Sequence, residues 1–211
     1  LDGDEYTAQY TLTDVHDPDA GGGGFTLGGT PFSYPSDTSG VDDDDIISIA
    51  KGTIRVPESG AYTLWVRSDD GFGLRVIGTP FDMVYGNGRM DVDGSMILEG
   101  TSGDSNSRGE IYLTAGDHNF EFYSWERDGG AHWEITSSPG AYGADTAAAR
   151  TWRGLGDASQ QAGVDGTAPW IASLVGDVTV HNVTNADAGV ADSHNSVETA
   201  RDSVLTAITN G

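Results

Sequence analysis

An all-β fold is predicted, an antiparallel β-sandwich with a small C-terminal strand-and-helix appendage. Three observations carry that prediction. Short runs alternate apolar and polar residues with period two, as half-buried strands do. Glycine supplies 31 of 211 residues without a fixed period, which means many turns rather than a fibrous repeat. Strands and turns also follow each other closely along the first two thirds of the chain, which suits a sandwich better than a βαβ fold.

Residues 6–13, Tyr-Thr-Ala-Gln-Tyr-Thr-Leu-Thr, alternate as a half-buried strand. A long loop is expected over 14–45. It contains Asp14, Asp17 and Asp19, a glycine run at 21–24 and an aspartate run at 42–45. A loop of that length in a compact domain is functional or poorly ordered. Residues 46–56 form the next strand, and Pro57-Glu58-Ser59-Gly60 is a turn by residue type. Residues 61–67 and 72–76 are strands on either side of a tight turn, Ser68-Asp69-Asp70-Gly71. Residues 111–114, 120–125 and 132–136 continue the pattern, with Ala115-Gly116-Asp117-His118 as a hairpin turn.

Beyond Pro139 the character changes. Residues 141–149 are small and read as loop or a short helix, and 170–175 and 178–183 as two further strands. Residues 195–208 read as a helix. Asn195 caps it, Glu198 stands in capping-box position, and Val197, Ala200, Val204, Leu205 and Ile208 share one face. The expected division is a sandwich over 1–140 and an appendage or inter-module segment over 141–211.

The net charge is -23, and Lys51 is the only lysine. Phosphate binding needs a basic face, so a nucleic-acid partner is excluded. Attraction to anionic lipid heads is excluded on the same ground. No apolar run is long enough to insert in a membrane. The absence of cysteine removes disulfides, thiolate metal sites and cysteine nucleophiles. The histidines, at 16, 118, 132, 181 and 194, lack the close spacing of a metal site and read as surface or turn residues. The chain starts at Leu1 rather than methionine, which reads as a processed or excised piece of a longer protein. No serine sits in a nucleophile-elbow pattern, and no carboxylate pair is singled out as in glycosidases, so no enzymatic activity is expected.

The informative feature is the adjacent pair Asp69 and Asp70. Neighbouring carboxylates repel, so a turn that holds them together offers their oxygens to a donor or a cation. Turn chemistry is the other reading, with each side chain bonding its own backbone. Asp91-Val92-Asp93-Gly94 has the alternation of an oxygen-ligand loop but lacks an EF-hand continuation, and reads as a solvated loop.

Residues 52–64 run Gly-Thr-Ile-Arg-Val-Pro-Glu-Ser-Gly-Ala-Tyr-Thr-Leu. Ser68-Asp69-Asp70-Gly71 follows, then Leu74-Arg75-Val76-Ile77-Gly78. The closing phrases are Leu113-Thr114-Ala115-Gly116-Asp117-His118, Phe122-Tyr123-Ser124-Trp125-Glu126-Arg127 and Gly129-Gly130-Ala131-His132-Trp133-Glu134. In that order, over about residues 45–137, they resemble the protective-antigen-type 14-kilodalton domain. That family includes toxin domains, glycosidase accessory modules and the fungal flocculin adhesins.

The resemblance implies a calcium ion held by Asp69 and Asp70. In the lectin branch the two aspartates are joined by a cis peptide, and sugar hydroxyls complete the metal shell. A second loop adds oxygens there, with an asparagine early in it. This chain has Trp125-Glu126-Arg127-Asp128 instead. Asp128 or Glu126 supplies the further oxygens, with Asp128 the expected third metal ligand and Glu126 and Arg127 expected in the ligand site, and Trp125 either stacks on a pyranose or packs in the core. Arg127 pairing with Asp69 or Asp70 without metal is the alternative.

The expected function is an extracellular or cell-surface module that binds a glycan or polysaccharide with calcium. Two other readings stand beside it. One is a structural repeat unit of a surface filament, stalk or layer, touching neighbouring copies through its helix. The other is an accessory piece of a glycosidase.

Overall fold

The computed structural model describes residues 5–9, 14–16, 32–33, 46–127, 129–130, 132–142, 152–155 and 172–182. Their strands are β1 (Glu5–Gln9), β2 (Asp14–His16), β3 (Phe32–Ser33), β4 (Ile46–Val56), β5 (Gly60–Asp69), β6 (Gly71–Val76) and β7 (Met83–Gly86). There follow β8 (Arg89–Met90), β9 (Met96–Leu98), β10 (Ser105–Leu113), β11 (Gly116–Glu126), β12 (His132–Pro139), β13 (Arg153–Gly154) and β14 (Ala172–Asn182). They form two seven-stranded sheets. The first runs β1-β14-β4-β11-β6-β9-β8. The second runs β3-β2-β12-β5-β10-β7, with β13 also paired to β12. Every pairing is antiparallel except β2 with β3. The all-β sandwich is therefore what the described residues form.

Alternation drives the packing. Along β5 the inward residues are Tyr62, Leu64 and Val66, all buried. They meet Ile54, Phe72, Leu74 and Phe122 of the first sheet in one core, with Ile111, Trp133 and Ile135 beside them. Burying each such side chain contributes about 1.5–3 kcal/mol. The Trp133 ring lies 4.8 Å from that of Phe122, which lies 6.1 Å from Phe72. These rings join the sheets near the end where β5 and β6 meet.

Two glycines let large rings lie flat on the first sheet. Gly71 is in register with Trp125, and Gly73 with Tyr123. A Cβ at Gly71 would sit 2.0 Å from the Trp125 ring and 2.5 Å from the Leu98 carbonyl oxygen. We expect Gly71→Ala to lower stability by about 1–3 kcal/mol, the usual cost of overpacking, read as a lower denaturant midpoint.

Several expectations change in detail. The first strand is β1, ending at Gln9, and the expected loop over 14–45 contains β2 and β3. Strand β2 pairs Val15 with Trp133 along β12, because a sheet edge presents backbone groups that need partners. Where two strands were expected over 170–183, one strand, β14, lies between β1 and β4. Strand β10 begins at Ser105, six residues before the expected strand. The expected helix over 195–208 lies outside the described residues. No helix among the described residues is long and apolar enough to cross a membrane.

Candidate metal centre

Three chain segments meet at one end of the sandwich. The β5–β6 turn carries Asp69 and Asp70, the β9–β10 loop carries residues 99–104, and the end of β11 carries Glu126. The ladder between β6 and β11 runs as far as Gly71 opposite Trp125, and the Asp70 N–H donates to the Trp125 carbonyl at 3.2 Å. That bond sets the aspartate turn beside Glu126. Carboxylate oxygens of Asp69, Asp70 and Glu126 all lie within 4.8 Å of one another.

The geometry suits a hard cation. Two oxygens that each sit 2.3–2.6 Å from one calcium ion are at most about 5 Å apart. All three donors are carboxylate oxygens, the ligand type that calcium takes. Asp70 is 5% exposed and Glu126 1%, while Asp69 is partly exposed and gives the cluster its opening to solvent. The residues present therefore fit the metal that the family resemblance implies.

Asp70 is oriented by main chain. Its Oδ1 accepts from the Ser102 N–H at 2.6 Å and its Oδ2 from the Arg127 N–H at 3.1 Å. Its own carbonyl accepts from Ser68 Oγ at 2.9 Å. Ser105 Oγ donates to the Ser68 carbonyl at 2.8 Å, which ties the start of β10 to the end of β5. The Asp69–Asp70 peptide is cis.

The Asp69 carboxyl is pushed up from its ordinary 3.8 to about 7. Burial is the first cause, the neighbouring Asp70 charge the second and the Asp104 charge the third. Asp104 is itself held by Arg67 Nη2, and His132 Nε2 lies 3.5 Å from its Oδ1. His132 is fully buried and in register with Asp69, so it is neither the surface nor the turn residue expected.

Of the expected site residues, the fold brings Asp69, Asp70 and Glu126 into one cluster. Arg127 contributes its main-chain N–H. Asp128 lies outside the described residues. Trp125 is 3% exposed, with Gly71 beneath its ring and Tyr123 stacked beside it at 5.8 Å. A ring so enclosed offers no face to a pyranose, so packing replaces the stacking role. Asp93 shows turn chemistry, its Oδ1 accepting from Ser95 N at 2.9 Å and Ser95 Oγ at 2.6 Å. Ser102, Asp104 and Arg67 were not singled out from sequence. A backbone N–H has no residue signature; the one available signal was the short loop bounded by Gly100 and Gly103.

No curated protein and no solved structure matches the chain. A family model, that of the PA14 domain, matches residues 25–136, starting earlier than the phrases at 45–137 that carry the resemblance. With more than half of its length under that model, and with the expected sandwich formed, this chain belongs to the PA14 domain family.

Proposed function

We propose that this domain recognises glycans outside the cell through a calcium ion held by Asp69, Asp70 and Glu126. The convergence of three carboxylates within 4.8 Å at the mouth of the sandwich carries the reading. Membership of a family known in carbohydrate-binding and adhesin proteins supports it. Calcium takes six to eight oxygens, and three carboxylates supply between three and six. Positions remain for water or for two vicinal hydroxyls of a sugar. The protein's part is to bind and orient; nothing in the proposal calls for bond cleavage. With Trp125 enclosed, the sugar contacts fall to the Arg127 side chain and to the β9–β10 loop. The repeat-unit reading rested on the helix over 195–208, and no described residue favours it.

The test is a calcium titration by calorimetry, followed by a glycan array with calcium and with chelator. Saturable calcium binding and chelator-sensitive glycan binding are expected. Absence of calcium binding at millimolar concentration would sink the proposal.

Calcium affinity should also depend on pH. Asp69 must lose its proton to ligate, and its carboxyl titrates at about 7. Affinity is expected to rise about tenfold between pH 6 and pH 8, since the ionised fraction changes by about that factor. The metal-free protein responds with the opposite sign. Its folded state keeps a proton that the unfolded chain releases near 3.8, so through this group stability falls as pH rises from 3.8 to about 7. Calorimetry at the two pH values checks the first statement; chemical denaturation in chelator checks the second.

A further inference from the structure

We propose that Arg67 is a positioning residue for the cation site, acting through Asp104 and the β9–β10 loop on Asp70. The inference rests on the calcium reading above, and extends it to a residue that does not itself reach the three carboxylates.

Arg67 lies on β5 two residues before Asp69, with Asn106 and Glu134 in register on either side. Its side chain is largely buried and its Nη2 is paired with Asp104 Oδ2. Asp104 closes the β9–β10 loop, and two residues earlier in that loop the Ser102 N–H holds Asp70 Oδ1 at 2.6 Å. Packing gives the loop little support at its glycines: a Cβ at Gly100 or Gly103 would have no atom within 4 Å. The Arg67–Asp104 pair adds to the tie that Ser105 makes with Ser68 at this end of the loop. It pins the far side of the loop, and the pinned loop presents its N–H to the carboxylate. Partners of this kind, which orient a ligand without touching the metal, are worth about 10–100-fold in metal affinity.

Simple electrostatics predicts the reverse sign. Arg67 is a cation close to a cation site, so its removal by Coulomb's law alone should strengthen calcium binding. The Arg67→Met variant thus separates the two accounts. We expect its calcium affinity, measured by calorimetry, to fall about tenfold. Unchanged or tighter binding overturns the proposal.

A second readout needs no metal. In chelator, exchange of the Ser102 amide hydrogen is expected to quicken about tenfold in Arg67→Met, with the Ile111 amide in the core unchanged, as a local release of the loop requires. Equal Ser102 exchange in wild type and variant overturns the proposal whether or not calcium binds. Should the wild-type chain bind no calcium while Ser102 exchange still responds, the calcium reading fails and the clamp on Asp70 stands. Should Arg67→Met fail to fold, Asp104→Asn, which keeps the side-chain shape, takes its place. Unchanged Ser102 exchange in that variant is then the overturning result.

Discussion

Asp70→Asn is expected to abolish the calcium-dependent rise in melting temperature. A ligand present at a hundredfold its Kd stabilises the folded state by about 2.7 kcal/mol. For a chain of this size that corresponds to a rise of roughly 5–10 °C. The substitution removes a charge from the proposed calcium shell at a residue that is 5% exposed, along with one of the two acceptors used by the Ser102 and Arg127 N–H groups. A buried donor left without its acceptor costs about 1–3 kcal/mol, so the metal-free variant is also expected to melt lower than wild type. The measurement is a pair of thermal melts, in calcium and in chelator. A variant that still gains the wild-type increment in calcium removes Asp70 from the metal shell.

Trp133→Ala is the change expected to cost most stability. The ring is fully buried and packs at 4.8 Å on Phe122, between the two sheets. Truncating a buried tryptophan costs about 3–5 kcal/mol, the lost transfer energy plus the cavity left behind. At 2–4 °C per kcal/mol, the expected fall in melting temperature is roughly 6–20 °C. Tyr112→Ala serves as the contrast. Tyr112 lies on the outer face of β10 and is 55% exposed, so its loss should stay within about 0.5 kcal/mol. Parallel denaturant titrations of the two variants decide the matter. Similar midpoints would mean that Trp133 is not the joint between the sheets.

How much of this was legible depended on which atoms carried the information. Strands β4, β5 and β6 announce themselves because their inward positions hold Ile, Leu, Val and Phe. The first half of β10 does not. Its inward positions are Ser105, Ser107 and Gly109, which keep the period of two but not the apolarity by which a strand is usually recognised. Gly109 is small for a reason that only the fold reveals: a Cβ there would meet the Phe81 ring at 2.5 Å. Strand β2 is three residues long, and what makes it a strand is the pairing that it finds with β12 on one side and β3 on the other.

The candidate site divides in the same way. Asp69 and Asp70 stand out because their side chains are the chemistry, and Glu126 follows because it ends a strand of recognisable alternation. The choice between Trp125 as a stacking ring and as a packed one turned on the register that sets it over Gly71, which no single stretch of sequence contains. Ser102 was invisible because its contribution is a peptide N–H that almost any residue would provide. Arg67 was hidden within a strand, and its partner Asp104 was one acid among many.

The main-chain cradle of Asp70 has a consequence for engineering. Positions 102 and 127 act on the carboxylate through their peptide N–H groups, so proline is the one residue that removes the donor itself. Gly100 and Gly103 face open space without positive φ, so side chains can be added there. A library randomised at these four positions would vary the rim of the site while leaving its carboxylates and their backbone donors in place. If the proposed calcium and glycan binding hold, recognition and ion retention can then be selected separately on one scaffold, as they can when antibody loops are diversified over a fixed framework.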